Sequence, residues 1–180
     1  MANIRIFDKS FKPYLSEKEI GEAIDGVAAK MNADFKDSGD IPVLLCVMNG
    51  AIMYTSELMK RLDFPCELAG IKVSSYVGTK STGSVHQVTG ISGNIVGKTV
   101  IICEDIVDTG NTIVALKGML LEKGAKRVLV NTMLLKPEVY DKDVQLEYVA
   151  KEIPNDFIVG FGLDYNELGR NYKDIYILDK

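Results

Sequence analysis

The chain has 180 residues, of which 47% are hydrophobic and 26% charged, and its formal net charge is −4 with a pI near 5.1. A chain of this length buries about two thirds of its unfolded surface, so we expect one domain over residues 1–180. The acidic balance provides no overall basic field for nucleic acid or an anionic membrane. No apolar run approaches the roughly 20 residues of a spanning helix and the start lacks a signal peptide, so we expect a cytoplasmic protein without nucleic-acid or membrane partners.

The predicted elements alternate between helix and strand. Ser16 to Glu19 has the Ser-x-x-Glu form of a capping box and precedes apolar residues at helical spacing, so residues 17–35 are predicted to be a helix. The unbroken apolar run at 42–48 is too short for a helix and is typical of a strand covered on both faces. Similar patterns predict helices at 51–62 and 112–124, and strands at 66–76, 99–105, 125–135, 147–150, 157–162 and 175–178.

Glycine, serine and threonine dominate residues 77–94, which predicts a long flap that can fold back as a hairpin. The alternation of strands and helices predicts an α/β fold, with a mostly parallel twisted sheet flanked by helices on both faces. Ligands of such sheets bind beyond the carboxyl ends of the strands. Three strand ends here carry polar groups, namely Asn49-Gly50, Glu104-Asp105 and Lys136.

Cysteine and histidine usage narrows the chemistry. Cys46, Cys66 and Cys103 are odd in number, unclustered and set in apolar runs, so we interpret them as buried structural thiols. His86 is the single histidine and lies in the predicted flap, in what we expect to be a loop. This excludes multi-histidine metal sites, and it excludes Ser-His-Asp and Cys-His catalysis unless His86 takes part.

The stretch "VIICEDIVDTGNTI" (100–113) concentrates carboxylates at the end of a predicted strand. Glu104 and Asp105 offer oxygen ligands for a sugar diol or for Mg2+. Asp108 begins a turn in which Gly110 supplies positive φ, and the amides of Thr109 to Thr112 then form an anion site at a helix start. A phosphate site beside a diol site describes a ribose 5-phosphate. A helix cap beside a solvated strand end is the alternative, but it accounts for only part of the stretch.

This stretch resembles the phosphoribosyl pyrophosphate (PRPP) binding motif of type I phosphoribosyltransferases. Four further segments resemble, in the same order, those of hypoxanthine (guanine) phosphoribosyltransferases. They are "VLLCVMNGA" (43–51), "SSYVGTKSTG" (74–83), "LLKP" (134–137) and "DFIVGFGLDYNELGR" (156–170). The resemblance covers about residues 40–178.

The resemblance implies transfer of the 5-phosphoribosyl group of PRPP to N9 of a 6-oxopurine, hypoxanthine or guanine, with Mg2+ as the cofactor. It implies the type I phosphoribosyltransferase fold, with a core at about 38–150 and a small hood from about 1–15 and 151–180. It also implies a homodimer or homotetramer, for which the apolar face of the helix at 51–62 is the candidate surface. A phosphoribosyltransferase-fold RNA-binding regulator, or transfer to another base such as xanthine, is the alternative.

The resemblance assigns a role to each matching position on the sugar side. Asp108 corresponds to the acid that handles the purine proton at N7, and it also belongs to the PRPP site. Glu104 and Asp105 face the ribose hydroxyls and the metal. The loop that cradles the 5-phosphate consists of Thr109, Gly110, Asn111 and Thr112.

The remaining positions belong to the purine and pyrophosphate sides. Lys136 corresponds to the reader of the purine O6 atom, Phe157 to the stacking ring and Ile158 to a main-chain contact with the base. Asp164 corresponds to a second metal-associated acid beside the purine. The pyrophosphate side consists of Arg170, of Ser75 and Tyr76 at the base of the flap, and of Asn49 and Gly50. Many relatives carry a basic residue in place of Asn49, where a cis peptide precedes backbone amides that bind pyrophosphate.

Overall fold

The computed structural model describes residues 2–76 and 85–179, and at 74–76 and 85–89 it describes the backbone alone. Residues 77–84 of the predicted flap lie outside the described residues. The described elements follow in the order β1 (Ile4–Ile6), β2 (Lys9–Leu15), α1 (Glu17–Phe35), β3 (Val43–Met48), α2 (Ile52–Met59), β4 (Glu67–Tyr76), β5 (Val85–Thr89), β6 (Thr99–Val107), α3 (Asn111–Glu122), β7 (Arg127–Leu135), β8 (Tyr148–Glu152), β9 (Ile158–Val159) and β10 (Ile175–Leu178).

The larger sheet has the strand order β5-β4-β3-β6-β7-β8 within the described part of the chain. Strands β4, β3, β6, β7 and β8 are parallel neighbours, and β5 pairs antiparallel with β4 at the edge. Helices α1 and α2 pack on one face of the sheet, and α3 packs on the other. The predicted α/β class is therefore confirmed, and the β4–β5 pairing is the predicted hairpin.

Strand β3 shows why the central strands read as unbroken apolar runs. Leu44 packs in the same cluster as Ile24 and Leu58 of α1 and α2, while its neighbour Leu45 packs with Leu116 of α3. Successive side chains of a strand point to opposite faces, so a strand covered on both faces needs apolar residues at every position. Leu44 and Leu45 are both fully buried.

A second, antiparallel sheet in the described residues has the order β1-β2-β10-β9 and forms the hood from the two ends of the chain, as predicted. The capping box predicted at the start of α1 is present, since the Ser16 backbone donates to Glu19 Oε2 at 2.9 Å and the Glu19 backbone donates to Ser16 Oγ at 3.3 Å. The next amide, of Glu17, donates to Oδ1 of buried Asp174 at 2.7 Å. This bond ties the hood to the helical layer. The boundaries proposed for core, hood and flap stay predictions.

Some local expectations were wrong. The predicted strand at 157–162 ends after Val159, because Gly160, Phe161 and Gly162 have φ of 103°, 50° and 100°, outside the strand region. Residue 86 lies in β5 rather than in a loop, and its side chain is outside the described residues.

The cysteines follow the prediction except at one position. Cys46 and Cys103 are buried free thiols, whereas Cys66 is only half-buried. Burial raises the pKa of the Cys103 thiol to about 12, so this thiol stays protonated at neutral pH. Within residues 2–76 and 85–179, no helix is long and apolar enough to cross a membrane.

Candidate active site at the carboxyl edge of the sheet

The three polar strand ends singled out in the sequence meet at one edge of the larger sheet, because β3, β6 and β7 are adjacent and parallel. A polar cleft of about 240 Å³ opens there. A smaller pocket of about 100 Å³ adjoins it at the start of α3. The predicted site residues that line the larger cleft are Asn49, Gly50, Glu104, Asp105, Thr112 and Arg170.

The acidic pair at the end of β6 is largely removed from water. Glu104 is buried, and its Oε2 atom has no hydrogen-bond partner among the described residues. Burial raises the pKa of Glu104 well above its usual range, and the Asp105 carboxylate raises it further. Burial also raises the pKa of Asp105. A hydrogen bond with the Glu104 side chain opposes this rise, as do the Ile106 amide, which donates to Oδ1 at 2.9 Å, and the Arg170 guanidinium. Glu104 therefore keeps its proton in the free protein, and its charged form requires a cation or a donor from outside the protein.

Gly50 is enclosed from two sides. A Cβ atom at this position would overlap the Asp105 carboxylate, and a Cβ atom at Gly162 would overlap the Gly50 carbonyl oxygen. Glycine at both positions therefore allows the turn after β3, the acids of β6 and the hood segment to approach closely. The Met48–Asn49 peptide bond is cis, as the resemblance implies. The Asn49 side chain itself is exposed.

The loop between β6 and α3 forms the smaller pocket. Gly110 has φ of 80° and is the N-cap of α3, so the first amides of the helix lack acceptors within the helix and can bind an anion. A Cβ atom at Gly110 would lie 2.5 Å from Cε2 of Tyr140, so glycine is required there by both conformation and space. The pocket is lined by Asp108, Thr109, Gly110, Asn111 and Thr112, as the sequence predicts.

Lys136 joins the loop to the hood segment. Although only 8% exposed, it directs Nζ toward Asp108 Oδ2 at 3.4 Å and donates to Asn155 Oδ1 at 3.2 Å. Asp108 is half-exposed, with 51% of its side chain accessible. The sequence did not indicate Asn155, because a single amide before an apolar segment carries no distinguishing pattern.

Phe157 is 41% exposed and Ile158, in β9, is buried. An exposed phenylalanine next to a buried strand leaves ring surface open to a ligand. The Phe157 ring contacts the rings of Phe11 and Tyr165, neither of which was predicted to belong to the site.

The predicted metal ligands do not all come together. Asp164 Oδ1 pairs with Arg170 Nη2 at 2.8 Å, and its Oδ2 accepts from the Glu167 amide at 2.8 Å. Arg170 also donates to the Gly162 carbonyl at 2.8 Å, which holds its guanidinium at the cleft. In the described ranges, no group of three or more His, Cys, Asp or Glu side chains is arranged to hold a metal ion. The side chains of Ser75 and Tyr76 lie outside the described residues.

A family model described as the phosphoribosyl transferase domain matches residues 11–166. The chain therefore belongs to the phosphoribosyltransferase family, and the resemblance noted in the sequence is confirmed. Within this family it is similar to the hypoxanthine-guanine phosphoribosyltransferase of Streptococcus agalactiae serotype V, with 40% identity over 93% of this chain and 92% of the relative. The corresponding protein of Streptococcus thermophilus is 37% identical over 96% of both chains.

Solved structures agree with the curated relatives. A crystal structure of a hypoxanthine-guanine phosphoribosyltransferase from Bacillus anthracis has a TM-score of 0.86 and 31% identity, and the match covers 93% of this chain and 98% of that one. A hypoxanthine phosphoribosyltransferase from Staphylococcus aureus has a TM-score of 0.85 and 34% identity, over 93% and 91% of the two chains. Both lie in the identity range in which the fold and the enzyme class are shared.

Replacing Glu104 by glutamine should stabilise the protein in the absence of divalent metal. The raised pKa means that the folded protein holds this proton while the unfolded chain releases it, so stability is lost as pH rises above the unfolded value near 4.5. Because the folded protein resists ionisation of this carboxyl, Glu104→Gln should raise the free energy of unfolding at pH 8, where the unfolded chain is ionised. Urea unfolding at several pH values measures the change.

The stability gained by Glu104→Gln should become smaller as the pH is lowered from 8 to 5. Glu122→Gln, at an exposed position of α3, is the matched control and should change the stability by less than about 0.5 kcal/mol at any pH. A loss of stability in Glu104→Gln at pH 8 would contradict the assignment of a buried, destabilising carboxyl.

Proposed function

We propose that this protein transfers the 5-phosphoribosyl group of PRPP to N9 of a 6-oxopurine, hypoxanthine or guanine, and releases pyrophosphate in purine salvage. The observation that carries the choice of base is the pairing of Lys136 with Asp108 at 3.4 Å. O6 and N7 of a 6-oxopurine lie on the same edge of the base. The Lys136 ammonium group, proposed to bind O6, and the Asp108 carboxylate, proposed to take the N7 proton, lie side by side. The names of the relatives support the same substrates.

The base is proposed to lie against Phe157, whose exposed ring supplies a stacking surface, with the main chain of Ile158 at its edge. Lys136 is held by Asn155 from the other side, so its ammonium group is fixed before the base arrives. A fixed donor is worth more to recognition than a mobile one, because less side-chain entropy is lost on binding.

The PRPP molecule is proposed to lie along the edge of the sheet. Its 5-phosphate takes the anion site from Thr109 to Thr112, and its ribose hydroxyls face Glu104 and Asp105. Its pyrophosphate is proposed to bind Arg170 and the amides of Asn49 and Gly50, with Ser75 and Tyr76 above it. The planar guanidinium of Arg170 suits phosphate oxygens.

In the reaction, the bond from C1′ of the ribose to pyrophosphate breaks and the bond from C1′ to N9 of the base forms. Positive charge develops on the ribose as pyrophosphate departs, so the carboxylates of Glu104 and Asp105 stabilise the transition state electrostatically. The base loses its N7 proton as N9 becomes bonded, and the Asp108 carboxylate accepts it. The crowding of negative charge at the end of β6 thus follows from the charge of the reacting sugar.

The residues present also fit Mg2+, since Glu104 has an unpartnered buried oxygen and Asp105 lies beside it. We propose that these two carboxylates would hold the ion. Asp164, whose oxygens are engaged by Arg170 and by the Glu167 amide, would take part through water. When bound, the ion offsets the negative charge that pyrophosphate and the acids bring into one cleft.

The alternatives gain less support. The relatives reported above are named as enzymes, and none of their names indicates an RNA-binding regulator. Transfer to xanthine shares the O6 and N7 edge and differs at C2 of the base, so it remains an outcome of the substrate assay. A cytoplasmic location stays a prediction from the sequence.

We also propose that the protein forms a homodimer or homotetramer through the outer face of α2 and the start of β4. Met48, Ile52 and Leu68 are 39%, 44% and 58% exposed there. They line an apolar groove of about 620 Å³ that also includes Met59. Apolar residues clustered at the surface in this way mark protein interfaces.

The proposed function is tested by nucleotide formation with PRPP, Mg2+ and each of hypoxanthine, guanine, xanthine, adenine and uracil. Hypoxanthine and guanine should give IMP and GMP with equimolar pyrophosphate. Adenine, which carries an amino group in place of O6, and uracil, which has no N7, should give no nucleotide. Chromatography of the products measures the nucleotide and the pyrophosphate. Exclusive use of adenine or uracil would overturn the proposed roles of Lys136 and Asp108.

Asp108→Asn should lower kcat by about 100-fold or more, because the amide still accepts a hydrogen bond from Lys136 but cannot take the N7 proton. Asp108→Ala should lower kcat at least as much. Calorimetry with PRPP and Mg2+ should show affinities within about threefold of the parent, since the amides of the loop are unchanged. Near-parental kcat in both variants would refute proton transfer by this residue.

Leu68→Glu should dissociate the oligomer, because it introduces a charge into the lining of the apolar groove. Sedimentation velocity should shift toward the 19.8 kDa of a single chain. Leu121→Glu, at a 48% exposed position of α3 on the opposite face of the sheet, is the control and should leave the mass unchanged. A parent protein that already sediments as a monomer would contradict the proposed interface.

A further inference from the structure

The exposed ring of Phe157 is braced from behind by two aromatic side chains. The Phe11 ring lies 5.9 Å away at 44°, and the Tyr165 ring lies 5.7 Å away at 86°, an edge-to-face arrangement. Phe11 is fully buried inside the hood, whereas Phe157 is 41% exposed. The two contacts therefore hold one side of Phe157 and leave the other side open.

Tyr165 is itself held by the turn between β1 and β2. Its hydroxyl donates to Asp8 Oδ1 at 2.8 Å, and its ring meets Phe7 edge to face at 5.9 Å. The ammonium group of Lys9 lies 5.5 Å from the centre of the same ring. Residues far apart in the chain thus fix the position and tilt of this tyrosine.

Tyr165 also stands next to the charged part of the site along the backbone. It directly follows Asp164, which pairs with Arg170, and its amide donates to the Leu168 carbonyl at 2.9 Å to close the turn between them. The turn of the hood, the stacking ring and the Asp164–Arg170 pair are therefore connected through this one residue.

We propose that Tyr165 is a positioning residue for the purine base: it sets the tilt of Phe157, and Asp8 of the hood turn holds Tyr165 in place. The inference rests on the proposed function, because it takes Phe157 as the stacking ring. Tyr165 does not touch the base in this proposal and acts only through Phe157.

The physical reason is the freedom of an exposed aromatic side chain. Without an edge-to-face neighbour, Phe157 gains rotamers that do not present its face to the base, and the base pays the entropy of reordering the ring. An aromatic pair of this kind corresponds to about a threefold to tenfold effect on binding. The effect should fall mainly on the base. Arg170, the proposed pyrophosphate contact, is held by Asp164 and by the Gly162 carbonyl, and neither bond involves the Tyr165 ring.

The kinetic test compares Tyr165→Leu with Tyr165→Phe. Tyr165→Leu removes the aromatic ring that meets Phe157 edge to face. It should raise KM for hypoxanthine about threefold to tenfold, with KM for PRPP changed less than about twofold. Tyr165→Phe keeps the ring and loses only the bond to Asp8, so it should raise KM for hypoxanthine by less than half as much. Asp8→Ala, which removes the acceptor of that bond, should match it.

Tyr172→Leu is the matched structural control. Tyr172 belongs to the hood cluster and makes an edge-to-face pair with Tyr176 at 5.6 Å, but it is not among the ring neighbours of Phe157. This variant should lose thermal stability as Tyr165→Leu does, while both KM values stay unchanged. If KM for hypoxanthine rose as much in Tyr172→Leu as in Tyr165→Leu, or if KM for PRPP rose as much as KM for hypoxanthine in Tyr165→Leu, the role of Tyr165 would be merely structural and the proposal would be overturned.

A second measurement does not depend on catalysis. The chain has no tryptophan, so Phe157→Trp introduces a single fluorescent reporter at the stacking position. In the unliganded protein, the steady-state anisotropy of this tryptophan should fall when Tyr165→Leu is added and should stay unchanged with Tyr172→Leu. Equal anisotropy in all three proteins would overturn the bracing role of Tyr165.

The two measurements separate this inference from the proposed function. If the parent protein forms no nucleotide from any 6-oxopurine, the proposed function fails whatever the anisotropy shows. If the parent forms IMP and Tyr165→Leu keeps the parental KM for hypoxanthine, the proposed function stands and the positioning role of Tyr165 fails.

Discussion

The parallel register of β3, β6 and β7 is the constraint on which the rest of the site depends. Cys46 stands opposite Cys103, and Cys103 stands opposite Asn131, so the three strands run level and end at the same edge. Hydrogen bonds along the strands and apolar layers on both faces enforce this register, because a slip by one residue would turn every buried side chain to the wrong face. The turn after β3, the acids of β6 and the lysine after β7 meet for that reason.

The same edge carries an energetic conflict. The fold buries Glu104 and leaves its Oε2 atom without a hydrogen-bond partner among the described residues, which disfavours the charged form, while the proposed reaction uses that charge opposite a sugar that becomes positive. Sites of this kind are less stable than an apolar substitute would be, and they gain their stability when a ligand or cation is bound. The buried apolar layers above and below the sheet provide the surplus stability that tolerates it.

The sequence predicted the larger sheet well and the hood in outline only. Strands β3, β6 and β7 are covered on both faces and read as apolar runs, and Gly124, with φ of 87°, follows the end of α3 at the limit of the helix predicted at 112–124. The β1 and β2 strands of the hood were not predicted, because β1 has only three residues and β2 carries lysines and Pro13 among few apolar residues. Asn155 and Tyr165 were missed for a different reason, since their partners Lys136 and Asp8 are distant in the chain. Local pattern reveals loops that bind phosphate, but it does not reveal contacts that only the folded chain creates.

The enclosure of Gly50 also has a consequence for how this enzyme can diverge. The Asp105 carboxylate leaves no room for any side chain at position 50, and the Gly50 carbonyl in turn leaves none at position 162. Asn49 is exposed and unconstrained by those contacts. Position 49 can therefore accept a neutral or a charged side chain without disturbing the fold, whereas the position beside it admits glycine alone.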